Sequence, residues 1–309
     1  MKSFNIYCDM KTIYTKLLFV LCLILFVGCF SYKSTYTFLS STYKVLTQQK
    51  EYIVKVKTST KTLSIPLEEY LVGVVAGEMP VSFEMEALKA QVVASRTFVL
   101  SRNLNVDNTT QSQVYLTDEQ MKKNWGKSYK ENKEKIKQAV KETSYEVMLY
   151  DGKYISALFF SSSNGQTVNC EDYFSGKVSY LKSVDSHWDL TIDPHNQREK
   201  TFTKKQLSDI FKIDEVHMNI TAYTKSGYVS QIVIGEKTWT GREVREKLGL
   251  ASSCFEIKLT KNGYTFITKG SGHGVGMSQY GAQAMALENK SYKDILNHYY
   301  QNIEIQRID

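Results

Sequence analysis

A proline set between two stretches of helical periodicity constrains this chain more than any other feature. In residues 66–102, PLEEYLVGVVAGEMPVSFEMEALKAQVVASRTFVLSR, the residues Leu67, Tyr70, Leu71, Val74 and Val75 recur at helical spacing. Pro66 suits a first helical turn, and Glu68 and Glu69 suit the positive end of the helix dipole. Pro80 stops that helix, since its ring clashes with the preceding turn and it has no N–H to give. A second helix is expected with Ser82 as N-cap, Glu84 and Glu86 in its first turn, and Met85, Leu88, Val92 and Val99 on the buried stripe. Two helices meeting at a short turn are the frame on which the rest must pack.

Glu78 sits at the junction and breaks the local rule. A carboxylate near the C-terminal end of a helix meets the negative end of the dipole, at a cost of about 0.3–1 kcal/mol. Its neighbours Val74, Val75, Ala76, Gly77 and Met79 are apolar or small, so partial desolvation would raise its pKa and keep a proton ready for donation. A surface carboxylate capping a turn is the alternative.

The N-terminus carries Lys2, Lys11 and Lys16 ahead of the apolar run LLFVLCLILFVGCF at 17–30. That is an export signal or a membrane anchor, with the remainder outside the cytoplasm. Phe26-Val27-Gly28-Cys29 resembles a bacterial lipobox, with phenylalanine where leucine is usual, so a lipid anchor on Cys29 is the alternative. The organisation expected is a signal or membrane-anchor helix over 1–32, a Ser/Thr/Tyr-rich tether over 33–50, and one domain over 51–309. Outside the N-terminal segment only Cys170 and Cys254 remain, either as one bridge or as free buried thiols. No Cys/His pair has zinc-ligand spacing. The formal charge of +7 is scattered, and no nucleic-acid signature accompanies it, which excludes a nucleic-acid partner and suits an anionic wall-like polymer or a membrane surface.

Short strands are expected at 52–57 and 61–65, and a charged helix at 129–143. Hairpins are expected at 146–150 with 153–160 around Asp151-Gly152, at 216–223 with 228–234, and at 255–260 with 264–268 across Asn262-Gly263. Helices are expected at 203–211, 240–248 (ended by Gly249), 277–288 and 292–300. Helices mixed with antiparallel hairpins, without regular βαβ alternation, define an α+β class arranged around a substrate cleft.

Two polar stretches remain. SSSNGQTVN at 161–169 is either plain surface or a hydrogen-bonding platform for a polar ligand such as sugar. In GSGHGVGMSQYGA at 270–282, four glycines within seven residues allow sharp turns and close approach to a ligand, while His273, Ser278, Gln279 and Tyr280 supply polar side chains. The alternative is a glycine-rich turn capping the next helix. As a phosphate loop the stretch lacks the required lysine and glycine spacing.

Together these stretches resemble the stage II sporulation protein D family, the SpoIID/LytB domain. The matching pieces are PLEEYLVGVVAGEMP, ALKAQVVASRTFVL, SSSNGQTVNCEDYF, YLKSVDSHWD, TGREVREKLGL, GHGVGMSQYGAQAMA and ILNHYYQ, in order over nearly all of the chain from about residue 66. The resemblance implies a membrane-anchored bacterial lytic transglycosylase that cuts peptidoglycan glycan strands stripped of stem peptides. Its implied partners are a peptidoglycan amidase and other membrane proteins of forespore engulfment. The acidic residue of the family's E-M-P motif is the catalytic one, here Glu78. Lys89 and Arg96, seven apart on one helical face, would orient glycan oxygens or stabilise charge, or else serve as structural ion-pair partners. Ser163, Asn164, Thr167, His273, Ser278, Gln279 and Tyr280 are the candidates for lining the cleft. Some members carry zinc near an S-x-G-G-x-T loop. Here Phe160 stands where such a histidine would be and Cys170 has no companion, so neither metal nor cofactor is expected. A non-catalytic wall-binding enhancer of an amidase, as the LytB branch is described, is the alternative function.

Overall fold

The computed structural model describes residues 52–109, 112–174 and 176–308. The apolar segment and the tether expected over the first fifty residues lie outside the described residues, and among the described ones no helix is long and apolar enough to cross a membrane. Residues 51–309 form one compact unit.

Strand β1 (Ile53–Lys57) buries Val54 and Val56 and exposes the residues between them, the period-two alternation of a strand covering a core on one face. It pairs antiparallel with β2 (Thr62–Pro66) and parallel with β3 (Asn105–Asp107). Pro66 is extended (φ −53°, ψ 137°), so it caps α1 (Leu67–Glu78) rather than lying in its first turn. Helix α2 (Met85–Ser101) begins later than Ser82 would place it. Residues 80–83 form a turn closed by the Phe83 N–H on the Pro80 carbonyl (3.0 Å), and the cap position falls to Glu84, whose N–H donates to Gln283 Oε1 (2.6 Å). Every residue from Ala90 to Leu100 is buried, as a central helix requires.

Around α2 pack α1 and further elements that enter in turn. Helix α3 (Asp118–Trp125) was not expected, although Thr117 and Gln120 form a reciprocal capping box at its start. A short turn leads to α4 (Tyr129–Glu142). Strand β4 (Glu146–Tyr150) pairs with β5 (Lys153–Tyr154) on one side and with the C-terminal strand Glu304–Arg307 on the other. The hairpin expected to run to residue 160 therefore ends at Tyr154. Strand β6 (Phe159–Phe160) pairs in parallel with Met277–Ser278 instead, which brings the hydroxyl-rich and glycine-rich loops side by side.

After two single-turn helices, α5 (Cys170–Tyr173) and α6 (Asp189–Ile192), the chain builds a second core. It comprises β7 (Gln197–Thr203), α7 (Lys204–Phe211), β8 (Met218–Tyr223), β9 (Val229–Ile234), β10 (Lys237–Trp239), α8 (Gly241–Leu248), β11 (Phe255–Thr260) and β12 (Gly263–Lys269). Its strands form two antiparallel sheets, β11-β12-β7 and β10-β9-β8. Leu207, Phe211, Ile232, Val244, Phe255 and Phe266 fill the space between sheets and helices. The ends of this insertion meet where the Gly270 N–H donates to the Asn196 carbonyl (2.8 Å). The chain then closes the first core with β13 (Met277–Ser278), α9 (Gln279–Leu287), α10 (Tyr292–Tyr299) and β14 (Glu304–Arg307). The result is a mixed α/β fold with mainly antiparallel sheets.

Candidate active site

Glu78 is the last residue of α1, with no basic residue in the final turn to offset the dipole. The helix ends because Met79 turns extended (φ −127°, ψ 138°) ahead of Pro80. The carboxylate is half-buried, and burial raises its pKa above the ordinary 4.5; a hydrogen bond from the Val114 N–H to Oε1 (2.6 Å) opposes that rise.

Two glycines make this contact possible. A Cβ at Gly77 would lie 2.7 Å from the Val114 carbonyl oxygen, and one at Gly73 would lie 2.3 Å from the Tyr115 ring. Four residues apart, they open one face of α1 so that residues 113–116 lie directly on the helix backbone. The Leu116 N–H reaches the Gly73 carbonyl (3.0 Å), the Tyr115 N–H reaches Asn108 Oδ1 (2.8 Å), and the Tyr115 ring stacks on Tyr70 (5.6 Å, 11°).

From the other side comes α9. Gln279 Nε2 donates to the Glu78 carbonyl (2.9 Å) and to Gln91 Oε1 (3.3 Å), while Gln91 Nε2 donates to Ser95 Oγ (3.1 Å). Tyr280 follows Gln279 in sequence. It is half-buried, its ring meets Phe83 edge-on at 5.3 Å, and burial raises its hydroxyl pKa. Of the residues expected at the cleft, Gln279 is brought onto Glu78, through its backbone carbonyl.

The others have different duties. Arg96 is fully buried; its guanidinium donates to both carboxylate oxygens of Glu68 (2.8 and 2.6 Å) and to the Glu146 carbonyl (3.1 Å). Lys89 is bound between Glu86 (2.6 Å) and Glu142 (2.7 Å). Both take the structural ion-pair role, because their charges are already matched. Ser163, Thr167 and Ser278 are enclosed and have no surface to offer a glycan. Asp189, quoted within YLKSVDSHWD but given no role from sequence, draws the loops together. Its carboxylate accepts from the Ser163 N–H (2.7 Å), Ser186 Oγ (3.0 Å) and Ser278 Oγ (2.7 Å). Thr167 Oγ1 accepts from the Val184 N–H (2.8 Å), and Asn164 Nδ2 donates to the Ser226 carbonyl (2.8 Å) and to the free thiol of Cys254 (3.4 Å).

His273 lies among the rings of Phe160, Tyr173 and Phe174, with Nδ1 accepting from the Val275 N–H (3.1 Å). Burial, with help from Arg245 and Arg242, lowers its pKa to about 4, so the ring is neutral at neutral pH. Cys170 is a free buried thiol, and among the described residues no group of three or more His, Cys, Asp or Glu is placed to hold a metal ion. The glycines of the 270–276 loop also face the protein. A Cβ at Gly270 would lie 2.6 Å from the Ser162 carbonyl oxygen, at Gly272 2.7 Å from Phe160 Cβ, and at Gly276 2.1 Å from the Leu158 carbonyl oxygen. Their small size serves the parallel pairing of β6 with β13, not approach to a ligand.

What sequence reasoning missed is the strap at 113–116 and the amides Gln91 and Gln113. The available signal was Gly73 and Gly77, a one-turn glycine pair inside an otherwise apolar helix, which marks a crossing chain.

A model of the stage II sporulation protein family matches residues 55–150. Stage II sporulation protein D of Bacillus amyloliquefaciens is 44% identical over 261 residues, covering 80% of this chain and 76% of that protein, and stage II sporulation protein D of Bacillus subtilis gives the same figures. The amidase enhancer of Bacillus subtilis is 31% identical over 291 residues, covering 74% of this chain and 39% of that protein.

Proposed function

The chain belongs to the stage II sporulation protein D family, and from that premise we propose that it is a peptidoglycan lytic transglycosylase with Glu78 as its acid and base. The observation that carries this reading is a carboxyl group at a helix end, held by one backbone N–H and raised in pKa by burial. Such a group keeps its proton to a higher pH than a solvated glutamate, which a general acid needs.

Ordinary glycosidases use two carboxylates. A lytic transglycosylase recycles one. Glu78 gives its proton to the oxygen joining N-acetylmuramic acid to N-acetylglucosamine as the bond from that oxygen to C1 breaks. The carboxylate then takes the proton of the muramyl C6 hydroxyl as O6 bonds to C1, closing a 1,6-anhydro ring and restoring the acid. Because the nucleophile belongs to the substrate, intramolecular attack supplies an effective molarity worth up to about 7–11 kcal/mol when well oriented. Gln279 is buried and spends its amide on the Glu78 carbonyl and Gln91, so the surface that would meet sugar is the half-buried ring of Tyr280, packed edge-on against Phe83.

Digestion of purified glycan strands, followed by mass spectrometry for anhydromuramyl ends, tests the reading. The wild-type chain should generate these ends, and Glu78→Gln should lower the rate by about a thousandfold, because the amide keeps the shape but cannot exchange the proton. Anhydro ends formed at the wild-type rate by Glu78→Gln would sink the assignment. The amidase enhancer among the relatives favours a second reading, a wall-binding protein that stimulates an amidase without cutting glycan. Stimulation of an amidase that survives Glu78→Gln unchanged, with no anhydro product from the wild type, would select it.

A further inference from the structure

The strap at 113–116 does more than fill a helix face. Gln113 is fully buried and makes two hydrogen bonds: its Oε1 accepts from the Tyr70 hydroxyl (3.0 Å), and its Nε2 donates to the Ser95 carbonyl (3.4 Å). These bonds join α1 and α2 to the residue immediately before Val114. We propose that Gln113 is a positioning residue which, clamped between Tyr70 and Ser95, holds the Val114 N–H on Oε1 of Glu78 and so makes Oε2 the oxygen that carries and delivers the proton. The inference rests on Glu78 being the acid.

The reason lies in donor and acceptor chemistry. A backbone N–H can only donate, and the carbonyl oxygen of a neutral carboxyl accepts better than its hydroxyl oxygen, so the Val114 N–H on Oε1 favours the proton of the neutral acid on Oε2. The strap also sets how firmly that proton is held, because its N–H favours the charged form against the burial that opposes it. The groups tied to Glu78 are Tyr70 on α1, Gln91 on α2, Gln279 on α9, and Gln113 with Val114 in the strap. They are one phenol, amides and a peptide. Burial, then the charge of Glu78, pushes the Tyr70 hydroxyl above its ordinary value, so it remains a donor to Gln113 throughout the working pH range.

The test uses the full chain, purified in detergent, as wild type, Gln113→Leu, Tyr70→Phe and Val114→Pro. The carboxyl carbon of Glu78 is titrated by NMR with labelled glutamate and assigned by its loss in Glu78→Gln, a readout that needs no turnover. All three variants should titrate above the wild type, Val114→Pro the most, since it removes the donor itself. On glycan strands kcat should fall about tenfold while KM stays within about twofold, because geometry at the proton is altered and binding is not. An unmoved Glu78 titration in Gln113→Leu and Tyr70→Phe, both still folded by thermal melt, overturns the proposal. So does a rise in KM at constant kcat, which would place the strap in contact with substrate. Should the wild type form no anhydro ends, the transglycosylase reading fails, while the NMR titration still decides what the strap does to Glu78.

Discussion

Glu78 costs the fold something, and the cost has a definite pH dependence. Its folded-state pKa is raised, so above the ordinary 4.5 the folded state keeps a proton that the unfolded state has released. Stability therefore falls as pH climbs from there through the folded value. A neutral glutamine lacks this loss. Glu78→Gln should match the wild type in urea melts at acid pH and become progressively the more stable as pH rises. A wild type that gained on the variant with rising pH would mean that the Val114 hydrogen bond outweighs burial. At this scale the sequence was informative about the exceptional residue and silent about its partners. A lone carboxylate at a helix end is visible in a pattern of apolar spacing. The N–H that meets it comes from a residue thirty-six positions away, and local periodicity does not record such pairings.

Among the elements, the helices and most hairpins were legible because their signals are local. Thr203 and Thr240 each open a helix with a capping box, and Gly249 ends α8 at φ 58°. Ser82 misled because a good cap residue lay two positions before the real one, and the turn after Pro80 used it up. The glycine loop misled for another reason: sequence shows that a backbone must come close to something, not what that something is. Gly276 has φ +81° and its missing Cβ would overlap the Leu158 carbonyl, so Gly276→Ala should cost about 3 kcal/mol or more through strain and displacement of β6. Urea unfolding measures this; wild-type stability combined with lost cleavage would return the glycine to the substrate. The same loop carries His273. With its pKa lowered to about 4 against an ordinary 6.5, the unfolded chain binds a proton between those values that the folded chain refuses. Stability should therefore rise with pH across that window, and His273→Asn should remove this contribution from the slope of Tm against pH. An unchanged slope would mean that the aromatic cage opens to admit the charged ring.

For the whole molecule, the question is what the surroundings of Glu78 admit. One carboxylate oxygen is held by the strap, Gln279 of α9 ties down the backbone of the same residue, and the Phe83–Tyr280 pair stands at the junction of α2 and α9. On the proposed reaction a glycan would have to reach Oε2 past these elements, with its C6 hydroxyl aligned on C1 as the bond opens. A misplacement of about 1 Å costs about a hundredfold in such a reaction. A stem peptide hangs from the lactyl group of the same muramyl sugar, beside the bond to be cut, and would press against whichever element flanks the acid. Cleavage should therefore run at least about tenfold faster on strands stripped by an amidase than on intact peptidoglycan, so that the two activities work in sequence. Initial rates on both substrates at equal glycan concentration decide the matter, and Tyr280→Ala adds the geometric control. If the aromatic pair is what excludes the peptide, shortening it should narrow the gap between substrates by improving the intact one. Equal rates in the wild type would mean that the peptide points away from the strap and the aromatic pair, leaving the order of amidase and glycan cleavage free.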